Sequence, residues 1–141
     1  ALRTTSQLLG TSPIAWYAPP LWAEAASQKF PQSLAVVPVL LPTGHSAMRA
    51  RINHWLERER IRPHIAGEFE DSALLSTFAS TGMGVMPAPE SLGEHLAHTY
   101  GLVQVGSTPD VQEQFHLIYS ARKVMHPLVV RLLQARPQGS L

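Results

Sequence analysis

The chain contains no cysteine among its 141 residues, which excludes disulfides, thiolate metal ligands and cysteine nucleophiles. Charge is also scarce, since Asp, Glu, Lys and Arg make up 15% of the residues and the formal net charge is +1. A nucleic-acid-binding module ordinarily carries a basic face that releases several counterions on binding. The composition therefore predicts that this segment does not itself bind DNA.

Long apolar runs are missing as well, because the hydrophobic stretches are short and are interrupted by prolines. A membrane-spanning helix needs roughly 20 consecutive apolar residues, so we expect no span and no membrane partner. The first residues, Ala-Leu-Arg-Thr-Thr-Ser, lack the charged and then apolar pattern of a signal peptide. These features make the cytoplasm the simplest location, and the hydrophobic content of 45% is ordinary for a globular domain.

Short apolar runs alternate with amphipathic stretches along the chain, a pattern typical of βαβ units and a mostly parallel sheet. Helices are expected to open at Pro20, after Ser46, after Asp71, at Pro89 and at Pro127. Alternation and β-branched content predict strands at residues 13–18, 36–41, 64–69, 84–86, 102–105 and 112–121. The sequence therefore indicates an α/β fold whose last strand is unusually long.

The clearest helix follows Ser46, a good N-cap residue. Met48, Ile52, Trp55 and Leu56 fall on one apolar stripe, at the spacing of a helix that packs on a core. Charged residues occupy much of the remaining surface, and we interpret them as a solvated face rather than a phosphate site: Arg49, Arg51, Glu57, Arg58, Glu59 and Arg60.

No arrangement typical of catalysis or of a metal site stands out. His95 and His98 are three residues apart on a predicted helix, a spacing that can share one ion, but no third ligand is near them in the sequence. His45 precedes Ser46, yet adjacent residues on a turn rarely form a base and nucleophile pair, and no G-x-S-x-G motif occurs. We therefore expect no catalytic residue, no metal site and no cofactor.

The turn Thr43-Gly44-His45-Ser46 lies between the carboxyl end of a predicted strand and the start of a helix. Free amide groups and the helix dipole collect at such a turn, and ligands of open α/β sheets bind at this edge. Phe69 ends the next predicted strand and Glu70 follows it, so both turns can share the edge. The candidate binding residues are Thr43, Gly44, His45, Ser46, Phe69 and Glu70.

The kind of ligand stays open at this point. Amide groups favour an anion, whereas the acidic run Gly67-Glu68-Phe69-Glu70-Asp71 could hold a hard cation through carboxylate oxygens. The same carboxylates could equally lie in water, with Asp71 capping the next helix.

The order of these elements resembles the effector-binding domain of LysR-type transcriptional regulators. Residues 2–10 look like the end of its first subdomain and the hinge, and residues 40–46 look like its strand and ligand-loop unit. Three stretches are similar to activators of sodium/proton antiporter genes within that family, and the acidic run is the most specific of them. They are His54-Trp55-Leu56, the segment from Gly67 to Leu74, and the segment from Gln114 to Tyr119 with His126-Pro127.

The resemblance implies a periplasmic-binding-protein-like α/β effector domain with a complete second subdomain and a partial first one. Residues 1–12 would be the end of the first subdomain and the hinge, and residues 13–111 the second subdomain. Residues 112–136 would be a strand and a helix that return to the first subdomain, and residues 137–141 a disordered tail. The unpartnered returning elements would then favour self-association.

The implied function is effector sensing and oligomerisation in a transcriptional activator that responds to sodium and controls an antiporter gene. The implied partners are a small effector or ion in the cleft between the subdomains and further copies of the chain, as a homodimer or homotetramer. DNA would be bound only through an N-terminal helix-turn-helix domain that this segment lacks. Two alternatives stay open, a fragment of a solute-binding protein and a small hydrolase that uses His45, Ser46 or the carboxylates.

Overall fold

The computed structural model describes residues 4–120, with side chains described for residues 7–116. Residue contacts divide the chain into two compact units, one of residues 13–111 and one that contains residues 4–12 and 112–120. The predicted helix from Pro127 and the predicted tail at 137–141 lie outside the described residues. The strands and α-helices, in chain order, are β1 (Thr4–Ala18), α1 (Pro20–Ser27), β2 (Pro38–Pro42), α2 (Ala47–Arg58), β3 (His64–Phe69), α3 (Ser72–Ser80), β4 (Met86–Pro89), α4 (Gly93–Tyr100) and β5 (Val103–Ser120).

Two helix starts form as their sequence predicts. The Ser46 side chain accepts a hydrogen bond from the amide of Arg49, and the Asp71 side chain accepts one from the amide of Ala73. Each cap satisfies an amide that the first turn of a helix leaves without a partner. A short 3₁₀ helix at Gln32–Ala35, which the sequence pattern did not indicate, precedes β2.

The strands combine parallel and antiparallel pairs. β2 pairs in parallel with β3, and Val39 of β2 forms a parallel bridge with Val85. β1 lies between β4 and β5 and pairs antiparallel with β4. The expectation of a mostly parallel sheet was therefore too simple. Alternating βα units predict parallel neighbours only for strands joined by a crossover helix, and β1 and β4 are not joined in that way.

Both faces of the buried strands β1, β2 and β4 are covered within residues 13–111, whereas β3 is mostly exposed. Alternate residues of β1 enter different clusters, with Ile14 and Trp16 on one face and Ala15 and Tyr17 on the other. Helix α2 packs on the first face, and helices α3 and α4 pack on the second. Burial of both faces is typical of an α/β layer structure and explains why these strands are nearly continuous in apolar residues.

Residues 103–120 form one strand where the sequence predicted two. Residues 102–105 and 112–121 were expected to be separate strands, whereas β5 runs without a break from Val103 to Ser120. Thr108, in the first half of this strand, is buried, and its hydroxyl donates to the carbonyl oxygen of Ile14 at 2.7 Å. This tertiary contact holds polar residues in an extended conformation that their local sequence does not favour.

Helix α3 buries a narrower stripe than its apolar residues suggest. Leu75 and Ala79 enter the core, but Leu74 and Phe78 are 50% and 43% exposed. Gly82, two residues beyond the helix, has a φ of +100°, which agrees with its predicted place after the helix end. Among residues 4–120, no helix is both long and apolar enough to cross a membrane.

Candidate functional site

The parallel pairing of β2 and β3 places two turns at one edge of the strands. Pro42 and Phe69 are partners at the ends of these strands, and the amide of Thr43 donates to the carbonyl oxygen of Phe69 at 3.0 Å. We call residues 43–46 the first turn and residues 69–71 the second turn. All six candidate residues therefore lie in two adjacent turns that are joined by a backbone hydrogen bond.

The first turn is compact and opens helix α2. The amide of Ser46 donates to the carbonyl oxygen of Thr43 at 3.1 Å, and the Ser46 hydroxyl accepts from the amide of Arg49 at 3.3 Å. Thr43 and Ser46 are half-buried. Four amides in this turn and at the start of α2 have no hydrogen-bond partner within residues 4–120, namely those of Gly44, His45, Ala47 and Met48. These free donors at a helix N-terminus form a surface that favours negative charge.

The second turn combines an aromatic side chain with carboxylates. The half-buried Phe69 ring stacks on Phe78, with ring centroids 5.3 Å apart. Asp71 is occupied as the cap of α3, since its carboxylate accepts from the amide of Ala73 at 2.8 Å. Glu70 is exposed and has no hydrogen-bond or ion-pair partner in the described part of the chain.

The structure weakens the interpretation of the acidic run as a cation site. Glu68 forms an ion pair with Arg49, and Asp71 caps a helix, so two of the three carboxylates are already engaged. Within residues 4–120, no three His, Asp or Glu side chains are grouped so that they could hold a metal ion. A hard cation needs several oxygen ligands directed at one point, and the carboxylates of the acidic run are not grouped in that way within residues 4–120.

Arg49 is a component of this edge that the sequence interpretation missed, because it was assigned to a solvated face. Its side chain is only 11% exposed and contacts three acceptors. Nη1 donates to the carbonyl oxygen of Pro42 at 2.8 Å and to the carboxylate of Glu68, and Nε donates to Asn53 Oδ1 at 2.9 Å. One signal was visible in the sequence, since a basic residue in the first turn of a helix opposes the helix dipole and calls for compensation.

The residues considered for catalysis or metal binding make other contacts in the structure. The Ser46 hydroxyl caps α2 rather than pairing with His45. His95 Nδ1 lies 3.3 Å from the Thr99 hydroxyl, and the His95 ring meets Tyr100 edge-on. These side chains stabilise the ends of helices, and their arrangement does not favour the hydrolase interpretation.

Comparison with known families identifies the domain. The sequence profile of the LysR substrate binding domain matches residues 3–136. The chain belongs to this family. Its resemblance to the effector-binding domain of LysR-type regulators, and the α/β fold implied by that resemblance, are therefore confirmed.

Individual relatives agree with the family assignment. The transcriptional activator protein NhaR of Escherichia coli (strain K12) is 27% identical over 103 residues, which are 73% of this chain and 34% of that protein. The chain thus spans about a third of the length of the curated relatives it matches. Two solved structures share the fold. The regulatory domain of CcmR from Synechocystis PCC6803, in complex with 2-PG, has a TM-score of 0.66 at 13% identity and covers 99% of this chain and 70% of that one.

The second structure is the effector-binding domain of QuiR in complex with shikimate. Its TM-score is 0.64 at 16% identity, over 93% of this LysR-family chain and 62% of that one. The two bound molecules differ, so the fold alone does not determine the effector.

Proposed function

We propose that this LysR-family domain is the effector-sensing part of a bacterial transcriptional activator, in which the first and second turns contact the effector. The observation that carries the proposal is the parallel pairing of β2 with β3, which puts both turns at the carboxyl edge of the two strands. Ligands of open α/β sheets bind at that edge. Membership of an effector-binding family supports the same assignment.

The turns favour an anionic group on the effector. Free amides at the start of the 12-residue helix α2, together with the helix dipole, provide positive potential. Among the carboxylates of the acidic run, Glu70 has no partner within residues 4–120. CcmR and QuiR, which share the fold, are described with 2-PG and shikimate bound. We therefore infer a small anionic effector that donates a hydrogen bond to Glu70.

Similarity to NhaR supports a narrower hypothesis, in which the regulator responds to sodium and controls a sodium/proton antiporter gene. In this hypothesis sodium acts indirectly, because Glu68 and Asp71 are engaged by Arg49 and by the cap of α3. Glu70 alone does not supply the several oxygen ligands that a hard cation needs. The full regulator would act in the cytoplasm as a homodimer or homotetramer and bind DNA through a separate helix-turn-helix domain.

The test uses the full-length regulator with Thr43→Val and, separately, Glu70→Gln. Transcription from the target promoter is measured against sodium chloride and against pH, with potassium chloride as the ionic-strength control. We expect each variant to raise the midpoint of the response by about tenfold, the loss expected for one hydrogen bond to a charged group.

Glu59→Gln is the matched control, because Glu59 is an exposed carboxylate at the opposite end of α2. It should leave the response at the wild-type midpoint. If both turn variants fold, bind the operator and respond as the wild type does, these turns are not the sensor and the proposal fails.

A further inference from the structure

Three elements that carry the candidate site meet at one side chain. The Arg49 guanidinium contacts the carbonyl oxygen of Pro42 at the end of β2 and the carboxylate of Glu68 near the end of β3. The Arg49 backbone amide, in the first turn of α2, donates to the hydroxyl of Ser46. Arg49 therefore links β2, β3 and α2.

The position of Arg49 is electrostatically unfavourable unless it has such partners. Helix α2 has no acidic residue in its first turn, and a cation there faces the positive end of the helix dipole. Burial to 11% exposure adds a desolvation cost, which the Glu68 carboxylate and the two uncharged acceptors offset. The three acceptors that offset these costs also fix the position of the Arg49 guanidinium.

We propose that Arg49 is the positioning residue of the effector site, fixing the first turn against the second so that both present their groups to one ligand. This inference rests on the function proposed above. Only the planar guanidinium can reach Pro42, Glu68 and Asn53 at once, because it carries five donors in a rigid fork. Arg49 acts through the turns, and the ligand contacts belong to the turns themselves.

The hydrogen bond that joins the turns gives a direct measurement of this role. Hydrogen exchange at the Thr43 amide, which donates to Phe69, reports separation of the two turns. We expect Arg49→Gln in the 141-residue chain to speed exchange at Thr43 by about tenfold, the effect of losing one charge-assisted contact. Exchange at the Leu40 amide, which donates to Val85 in the middle of the strands, should not change.

Matched variants separate positioning from charge and from general destabilisation. Arg58→Gln removes an arginine from the same helix whose pair with Asp110 is loose, at 3.9 Å between exposed groups, and it should leave Thr43 exchange unchanged. Glu68→Gln should speed exchange less than Arg49→Gln, because Arg49 keeps Pro42 and Asn53. Arg49→Lys keeps the charge but loses the fork, and exchange at Thr43 should fall between the wild-type and Arg49→Gln values.

The same variants in the full-length regulator connect positioning with sensing. Arg49→Gln should raise the midpoint of the sodium chloride response by about tenfold, and Arg49→Lys should restore part of that shift. If exchange at Thr43 in Arg49→Gln equals that in Arg58→Gln, or if Arg49→Lys matches the wild type in both measurements, Arg49 does not position the turns. Exchange tests the positioning role in the free chain, whereas the Thr43 and Glu70 variants test the proposed function, so either can fail without the other.

Discussion

Burial strongly affects the ionisation of Tyr17. Its side chain is 1% exposed in the core that β1 shares with α3 and α4, and its hydroxyl has no hydrogen-bond partner within the described residues. A Cβ added at Gly93 would lie 3.1 Å from that hydroxyl, so the surroundings are tightly packed. Burial, with a smaller contribution from the negative charge of Glu90, raises the pKa of Tyr17 to about 12.

This shift predicts a loss of stability in alkaline solution. The folded state retains the Tyr17 proton above pH 10.0, whereas the unfolded chain releases it. The contribution of the protonated Tyr17 side chain to the free energy of unfolding is therefore complete below pH 10.0 and is lost as the pH rises towards 12. A shift of two pH units corresponds to about 2–3 kcal/mol of unfolding free energy. Urea unfolding followed by circular dichroism between pH 9 and pH 12 measures this loss.

The control for that measurement is Tyr17→Phe, which removes the ionisable hydroxyl and keeps the ring. The quantity to compare is the difference in unfolding free energy between wild type and variant at each pH, because effects of alkaline solution on the rest of the chain cancel in it. The free energy of unfolding of Tyr17→Phe should therefore rise relative to that of the wild type as the pH goes from 10 to 12. A constant difference would show that Tyr17 ionises normally.

At the scale of elements, one contact between strand segments requires their two backbones to lie very close together. The amide of Val85 donates to the carbonyl oxygen of Pro38, and the amide of Leu40 donates to that of Val85. Gly84 lies directly beside this bridge, and a Cβ added there would be 2.7 Å from the Pro38 carbonyl oxygen. Because that neighbour is backbone, it cannot move away as a side chain could, and only glycine fits without a shift.

We therefore expect Gly84→Ala to lower the free energy of unfolding by about 1–3 kcal/mol, the usual cost of overpacking. Urea denaturation at neutral pH measures the change. Gly44→Ala is the comparison variant, because a Cβ at Gly44 meets no atom within 4 Å, and its effect should stay within about 0.5 kcal/mol. Equal effects at the two positions would contradict the close approach that the structure describes.

Helices α2 and α3 show how far an apolar stripe predicts burial. Ile52 and Trp55 of α2 are buried as their spacing indicates, whereas Leu74 and Phe78 of α3 remain substantially exposed. Periodicity identifies a face that can pack, but the neighbours available on that side decide how much of it is covered. The Phe78 ring, for example, is covered only in part by its stacking on Phe69.

At the scale of the whole molecule, charge limits what this segment binds by itself. Its net charge is +1 over 141 residues, so few counterions would be released on contact with a duplex. We expect the isolated chain to leave a DNA duplex carrying the operator of the proposed regulator unretarded in a gel-shift assay at physiological salt. Sequence-specific retardation at nanomolar protein would overturn this expectation and place a DNA-binding surface within the domain.

The sequence by itself determined the elements whose information is local. Helix α2 was predictable because Ser46 caps it and its apolar residues repeat at helical spacing, and β3 was predictable at residues 64–69 because a capped helix follows it. The adjacency of the two turns was also accessible, since strands joined by a crossover helix pair in parallel. The first two inferences depend only on near neighbours in the chain, and the third depends on the short β2–α2–β3 connection.

Tertiary structure alone decided the features that depend on distant residues. The antiparallel place of β1 beside β4, the unbroken β5 and the role of Arg49 come from contacts between segments that are far apart in sequence. Thr108 is extended and buried because Ile14 accepts its hydroxyl, and Arg49 leaves the solvated face because Pro42 and Glu68 together satisfy its charge and donors. A polar residue's environment is set by the partners that desolvate and satisfy it, and no local pattern encodes those partners.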